Sequence, residues 1–464
     1  MPLARAAPVL VLERGGHVVA GDDPFLPALA VTPPPVGATT ASARGRMQAS
    51  TSRSVLADLK RLRQRGAITA GDYRHYGAVY RAAVASAGRL GGTAGAELGA
   101  VIGNLAEIAG TGQLTASRLP ALFLTLDRNR QWWASGVIPA TYGRVEFAGD
   151  DRVWEYYPGQ GIELQVLGTF GKANGLYTAG PAHYSALLKL LGEMLPLATH
   201  RGGGLTWEYY FHFEGGGIPW TSAMSQGTAI ETLTRAFKAS EDSAYLSLAH
   251  QALRVFTHAP PTGVALRTGR GTRYVQYTFA PSQDILNAFL QSLIGLYDYA
   301  HVSGDPLATR LFAAGDAQAR AETPRFDTGA WSLYQPGIED SLSYHELVTG
   351  FLQQLCQRTH AQVYCVTAQH FRTYLKTPPE LTLLTHRVKA RQTTTLRFRL
   401  SKYSHVGIVV LRGGSTVFET SAYFAHGTSE FQIPPLGRGS YTIHLAATDL
   451  GGNFHRIVST LQVS

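Results

Sequence analysis

"SQDILNAFLQSLIGLYDYAHVS", residues Ser282–Ser303, sets Leu286, Phe289, Leu290, Leu293, Ile294 and Tyr297 three and four positions apart. That spacing predicts a helix with a broad apolar stripe. The same period recurs from Ser222 onward in "SAMSQGTAIETLTRAFKAS", "SAYLSLAHQALRVF", "PLATRLFAAGDAQA", "LSYHELVTGFLQQL" and "VTAQHFRTYLK". Successive helical hairpins with long loops at every second connection suggest an α/α toroid, an incomplete barrel whose loops line one end. In "LSYHELVTGFLQQL", Leu342–Leu355, the period places Tyr344, Leu347, Val348, Phe351 and Leu355 on one buried face. A buried phenol requires a hydrogen-bond partner or a chemical task, and this one directly precedes His345.

Upstream, residues 1–50 are rich in Pro, Ala and Thr and read as an extended or weakly ordered arm. Helical periodicity begins in "SRSVLADLKRLRQRG" and continues through "DYRHYGAVYRAAV" and "AELGAVIGNLAEIAG", giving an N-terminal helical region over 51–135. Between about 135 and 220 strands and loops mix, and the alternating "LTWEYYFHF" (Leu205–Phe213) reads as a strand. The mainly α domain extends over 136–378, with these strands as insertions. After "KTPPE" the pattern changes to period two, as in "TTTLRFRLSK" and "GSYTIHLAATD", with turns at "RGG", "AHG", "GRG" and "GGN". Residues 385–464 are therefore expected to form a separate all-β sandwich. It resembles the Ig-like modules that end many secreted bacterial carbohydrate enzymes, which implies an extracellular or cell-surface protein.

Composition narrows the function. With 45% hydrophobic and 16% charged residues the chain has enough apolar side chains for a large core. No apolar run reaches the 18 or so residues of a membrane span. The net charge of +9, spread without Lys/Arg clusters, favours an acidic small molecule or polysaccharide over nucleic acid. Cys356 and Cys365, nine positions apart, are either core residues or a disulfide, and neither spacing nor cluster suggests a metal site. No nucleotide-binding glycine motif stands in a convincing context, so no cofactor is expected. Self-association into a homodimer is left open.

Aromatic and polar residues concentrate at three places before inner helices: "RGTRYVQYTFAPS" with Arg270, Arg273, Tyr274, Gln276 and Tyr277; "DTGAWSLYQPG" with Trp331 and Tyr334; and Tyr344-His345. Aromatic faces suit sugar rings, and arginine suits carboxylates. Phenols move protons once a nearby cation lowers their pKa. The competing chemistry, glycoside hydrolysis, needs two carboxyl groups, and Glu208, Glu214, Asp284, Glu339, Asp340 and Glu346 are available. Asp284 reads as a residue opening a helix, and Glu339 and Asp340 as caps of the following one.

Four ordered segments resemble the glucuronyl C5-epimerases that act on heparan-type polysaccharides. They are "PWTSAMSQGTAIETLTRAF" (219–237), "YTFAPSQDILNAFLQSLIGLYDY" (277–299), "DTGAWSLY" (327–334) and "YHELVTGFLQQL" (344–355). Weaker similarity begins at "WEYYPGQGIELQVLGTFGKANGL" (154–176) and ends at "FRTYLK" (371–376), so about half of the chain is involved. The resemblance implies inversion of uronate residues at carbon 5. A base removes the proton alpha to the carboxylate, and an acid returns one from the opposite face. It implies Tyr277, Tyr334 and Tyr344 as proton-transfer residues, and Gln226, Gln276, Asn287, Trp331 and His345 as substrate-facing. Two positions depart from the family: Gln276 stands where it has glutamate, and Gly337 where it has arginine. Glutamine cannot take a proton, and a carboxylate clamp must come from Arg270, Arg273 or Lys172.

Overall fold

The computed structural model describes residues 6–27 and 52–464, in two compact units. Among the described residues, the first unit holds 6–27, 52–283 and 291–318, and the second holds 284–290 and 319–464.

In the first unit, Ala6–Leu12 (β1) and Val18–Pro27 (β2) form an antiparallel hairpin. β1 runs parallel to Arg144–Phe147 (β3), and the sheet continues through Asp150–Tyr157 (β4) and Gly161–Leu164 (β5). The extended-arm expectation is thus corrected over 6–27. Ala7, Val9 and Leu12 are buried on the sheet, and pairing satisfies the backbone that an arm would leave to water. "VTPPPVGATTASARG" (31–45) lies outside the described residues.

Helices Ser52–Gln64 (α1), Ala70–Arg89 (α2), Gly92–Gly110 (α3) and Leu119–Trp133 (α4) follow the predicted period. α2 opens with a reciprocal cap. Thr69 Oγ1 accepts from Asp72 N at 3.1 Å, and the Asp72 carboxylate accepts from Thr69 N at 2.9 Å. One face of the sheet is bonded to α3 and α4. Tyr156 donates to Glu97 at 2.8 Å, and Asn129 accepts from Ile162 N at 2.8 Å while donating to Ile162 O at 2.6 Å. The other face meets Val166–Thr178 (α5), where Val153 N donates to Thr169 Oγ1 at 3.0 Å.

Tyr184–Met194 (α6) is followed by the hairpin Thr199–Arg201 (β6) and Gly204–Thr206 (β7). The strand expected at Leu205–Phe213 is therefore corrected to β7 plus a single bridge between Tyr209 and Trp220. Trp207, Tyr209, Tyr210 and Phe211 are all buried, so neither face of this stretch is a solvent face.

Ala223–Ser240 (α7), Ala244–Ala252 (α8), Leu286–Ser303 (α9) and Pro306–Glu322 (α10) supply the helical pairs, with the hairpin Ala265–Arg267 (β8) and Thr272–Tyr274 (β9) between α8 and α9. α7 and α9 meet backbone to backbone. A Cβ on Gly295 would lie 2.0 Å from Gly227 O, and one on Gly227 2.5 Å from Ser292 Cα.

The second unit carries the hairpin Leu333–Gln335 (β10) and Ile338–Glu339 (β11), then Leu342–Thr359 (α11) and Gln362–Tyr374 (α12). A Cys356–Cys365 disulfide ties these two helices. Ser341, rather than Glu339 or Asp340, caps α11, accepting from Tyr344 N at 3.3 Å. The predicted stripe is corrected in phase. Tyr344 and Leu347 are 41% and 37% exposed, whereas His345, Val348, Thr349, Phe351, Leu352 and Leu355 are buried.

The C-terminal region is β-rich. Leu381–Leu383 (β12), Thr394–Leu400 (β14) and Gly427–Ile433 (β17) form one sheet, in the order β12-β14-β17 once Arg387–Val388 (β13) is assigned to the other. That second sheet runs β13-β19-β18-β15-β16, with Ser404–Arg412 (β15), Ser415–Phe424 (β16), Gly439–Asp449 (β18) and Phe454–Val463 (β19). Leu396 and Phe398 of the first sheet share a core with Ile408, Ile443 and Leu445 of the second. This region, with its own core, falls in one unit with α11 and α12. Glu339 accepts from Tyr403 N at 2.9 Å and His426 N at 2.8 Å, and Lys402 Nζ donates to Tyr374 O at 2.8 Å while pairing with Asp449 at 2.6 Å. Among the described residues, no helix is long and apolar enough to cross a membrane.

Candidate functional site

β10 and the first turn of α11 bring two of the three candidate tyrosines together: the Tyr334 and Tyr344 rings lie 5.3 Å apart. The residues flanking them in sequence form a buried polar group. Ser332 Oγ is 2.7 Å from His345 Nδ1 and 2.5 Å from Asp340 Oδ2, and His345 Nε2 is 2.9 Å from Phe371 O. A carbonyl opposite Nε2 requires the proton there, which leaves Nδ1 as an acceptor. Burial pushes Asp340 up to about 7, against the Ser332 hydrogen bond, and burial pushes His345 down to about 4.

With Asp340 ionised, the Ser332 hydroxyl donates to it. With Asp340 protonated, the carboxyl donates to Ser332 and the hydroxyl turns to Nδ1. The Ser332 hydroxyl therefore follows the charge of Asp340. Lys402, whose Nζ lies 5.3 Å from the Trp331 ring centroid, further disfavours a cationic His345. Trp331 donates from Nε1 to Asp340 O at 2.8 Å and is 1% exposed. Trp331 and His345, expected to face substrate, are 1% and 0% exposed and stack on each other. Asn287, also in this unit, is 5% exposed and accepts from Ala288 N at 2.8 Å.

The first unit holds Tyr277 in an aromatic cluster. Its ring lies 5.1 Å from Phe279, 5.6 Å from Trp220 and 5.7 Å from Phe213, and Trp220 stacks on Tyr209 at 4.1 Å. Gln276 accepts from Ser222 Oγ at 3.2 Å. Arg270 is exposed on the β8–β9 turn, while Arg273 is 5% exposed, so the two arginines do not present one clamp.

Lys172 is corrected from clamp to structural cation, at 2.8 Å from Asp23 and 3.4 Å from Glu146. Burial opposes its charge, but the two carboxylates outweigh burial and raise its pKa. Gln226 is likewise structural, donating to Leu205 O at 2.7 Å and accepting from Trp207 N at 3.4 Å while 1% exposed.

The carboxylates weighed for hydrolysis are dispersed or occupied. Glu208 receives Arg118 through two bonds of 2.7 and 2.9 Å and a third from Arg201. Glu339 is the acceptor for two loop N–H groups, and Glu214 and Glu346 are exposed. Among the described residues, no three His, Cys, Asp or Glu side chains are placed to hold a metal ion. Ser332 and the linkage of Asp340 to His345 were not singled out in the sequence. Their only trace is the Ser and Asp flanking the short hairpin "LYQPGIE".

Residues 202–373 match the family described as D-glucuronyl C5-epimerase C-terminus. The match takes in 172 of the 464 residues. Tyr277, Tyr334 and Tyr344 all lie within the matched epimerase region. The D-glucuronyl C5-epimerase of Caenorhabditis elegans is 36% identical over 128 residues, 25% of this chain and 21% of that protein. The chain thus spans about a fifth of the length of the curated epimerase it matches.

Among solved structures, cellobiose 2-epimerase from Spirochaeta thermophila overlaps 56% of this chain and 69% of its own, with TM-score 0.37 and 13% identity. Cellobiose 2-epimerase from Bacillus thermoamylovorans overlaps 56% and 72%, with TM-score 0.36 and 9% identity. At these scores the likeness carries no functional argument.

Proposed function

We propose that the protein is a uronosyl 5-epimerase acting within an acidic polysaccharide. The observation that carries this is the epimerase match over 202–373, which spans all three candidate tyrosines. In this reading Tyr277, Tyr334 and Tyr344 supply the groups that remove and return the proton alpha to the carboxylate, and Arg270 attracts the polyanion. The helical pairs form an α/α toroid, and the β-rich end is an Ig-like module of an extracellular protein. Incubation with uronate polymers in deuterated water tests the reading: deuterium at carbon 5 without chain cleavage is the expected result. Unsaturated uronates would instead mark a lyase, and new reducing ends a hydrolase.

A second reading, a glycan-binding protein without turnover, is favoured by Gln276 and Gly337. The latter sits at φ 85° in the turn after Pro336. That left-handed geometry suits glycine, so an arginine there would require a different turn.

A further inference from the structure

The outer face of the five-stranded sheet carries an exposed row of side chains that neither tyrosine chemistry nor folding requires. Cross-strand register aligns Phe454 (β19) with Thr448 (β18), Thr448 with His405 (β15), and His405 with Tyr423 (β16). Phe454 is 58% and Tyr423 51% exposed. Three strand spacings separate them, about 14 Å. Tyr403 extends the row, its ring stacked 5.5 Å from Tyr423 at 13°, and His405 meets the same ring edge-on at 5.0 Å.

The adjacent row is Arg456, Ala446, Gly407 and Ser421, so its middle two strands present almost no side chain. The result is an aromatic wall beside a low floor with an exposed arginine at one end. Large exposed apolar side chains in register mark a contact surface.

Charge selects the partner. Residues 381–464 contain nine Lys and Arg against three Asp and Glu, a surplus of six in a chain whose total is +9. Most of the excess positive charge therefore lies in this region, although its basic residues form no run in the sequence. Aromatic rings offer apolar faces to the C–H faces of sugars, and the basic surplus selects an anionic chain.

We propose that this sheet face is a second binding site, for an acidic polysaccharide, separate from the tyrosine site. The choice of ligand rests on the function proposed above. The site is also wired to the tyrosine-bearing hairpin. Tyr403, at the end of the aromatic row, donates its N–H at 2.9 Å to Glu339, the last residue of β11. A polymer held on the row is thereby kept near the segment that carries Tyr334.

The test uses the full chain carrying Tyr344→Phe, with hyaluronan as the uronate polymer, dextran as a neutral glycan and single-stranded DNA as a non-sugar polyanion. The expected result is binding of hyaluronan over both others. Tyr423→Ala with Phe454→Ala should weaken it about tenfold or more, as loss of anchor residues does. Arg456→Gln should flatten its salt dependence. Both residues are exposed, so the melting temperature should stay at its parent value.

Unchanged affinity in the double variant, or DNA bound as tightly as hyaluronan, overturns the site. Binding that persists while the protein without the Tyr344 substitution epimerises no uronate polymer leaves the site standing and removes the epimerase reading. The reverse result removes only the site.

Discussion

The Trp331 and His345 rings stack at 3.8 Å and 11°, so the imidazole is pinned between an indole and its own bonds to Ser332 and Phe371. Asp340 completes the arrangement, and its proton balance is opposite to that of His345. With its pKa raised to about 7, folded Asp340 keeps a proton that the unfolded chain releases from about pH 4, so this group's contribution falls as pH climbs from about 4 to 7. Folded His345, lowered to about 4, lacks a proton that the unfolded chain takes up below about 6.5, so its contribution rises with pH from about 4 to 6.5. The two slopes largely cancel. Asp340→Asn removes only the falling one, and its stability should rise by roughly 2–3 kcal/mol between pH 4 and 6.5 relative to the parent profile. Urea unfolding across that range checks this, and parallel profiles would count against the paired arrangement.

Tyr344→Phe removes a hydroxyl from a side chain that is 41% exposed. Stability should change by no more than about 1 kcal/mol. Turnover on the true substrate should fall roughly a hundredfold to ten-thousandfold if the phenol moves a proton. Tyr334→Phe should behave alike. Tyr297→Phe, whose hydroxyl bonds His301 at 3.3 Å one turn along the same helix, is the control and should retain the parent rate.

Gly295→Ala places a methyl group against the backbone of Gly227 rather than against a movable side chain. The helices must separate to admit it, and a cost of about 1–3 kcal/mol is expected. Gly350→Ala in α11, where nothing stands within 4 Å, should be neutral or slightly stabilising. Thermal unfolding of the two variants separates these outcomes.

Lys402→Met leaves Asp449 buried without its cation and removes donors to Tyr374 and Thr377. Breaking a buried pair from one side costs roughly 3–5 kcal/mol. A chain ending at Lys376 loses Lys402 together with both donors to Glu339, and should be insoluble or expanded on gel filtration. A compact, soluble truncation would show that the β-rich region is dispensable.

The periodicity of α9 was legible because its neighbours are apolar on a wide arc, and strands β14 and β18 because one face of each is water. α5 was not. Gly168, Gly171 and Gly175 resemble a loop in sequence, yet a Cβ at Gly175 would stand 2.8 Å from Phe25 O, so that glycine allows the helix to approach the N-terminal hairpin. Sequence spacing gave no sign of a contact 150 residues away. The phase of α11 was misread for a related reason. Tyr344 and His345 both fit an apolar arc, and only the buried acceptors at Ser332 and Phe371 decide that the histidine turns inward. Gly227 and Gly295 show the converse: residues inside the segments that resemble the epimerases set helix spacing here.

The Cys356–Cys365 bond joins the last turn of α11 to the first turn of α12. The hairpin is thus closed covalently at one end and by the His345–Phe371 hydrogen bond toward the other. Separation of the two helices is therefore resisted by a covalent bond at Cys356 and by hydrogen bonding alone at the turn that carries Tyr344 and His345. Amide exchange should quicken along α11 from Leu355 back toward Leu342, and reducing the bond should level that gradient.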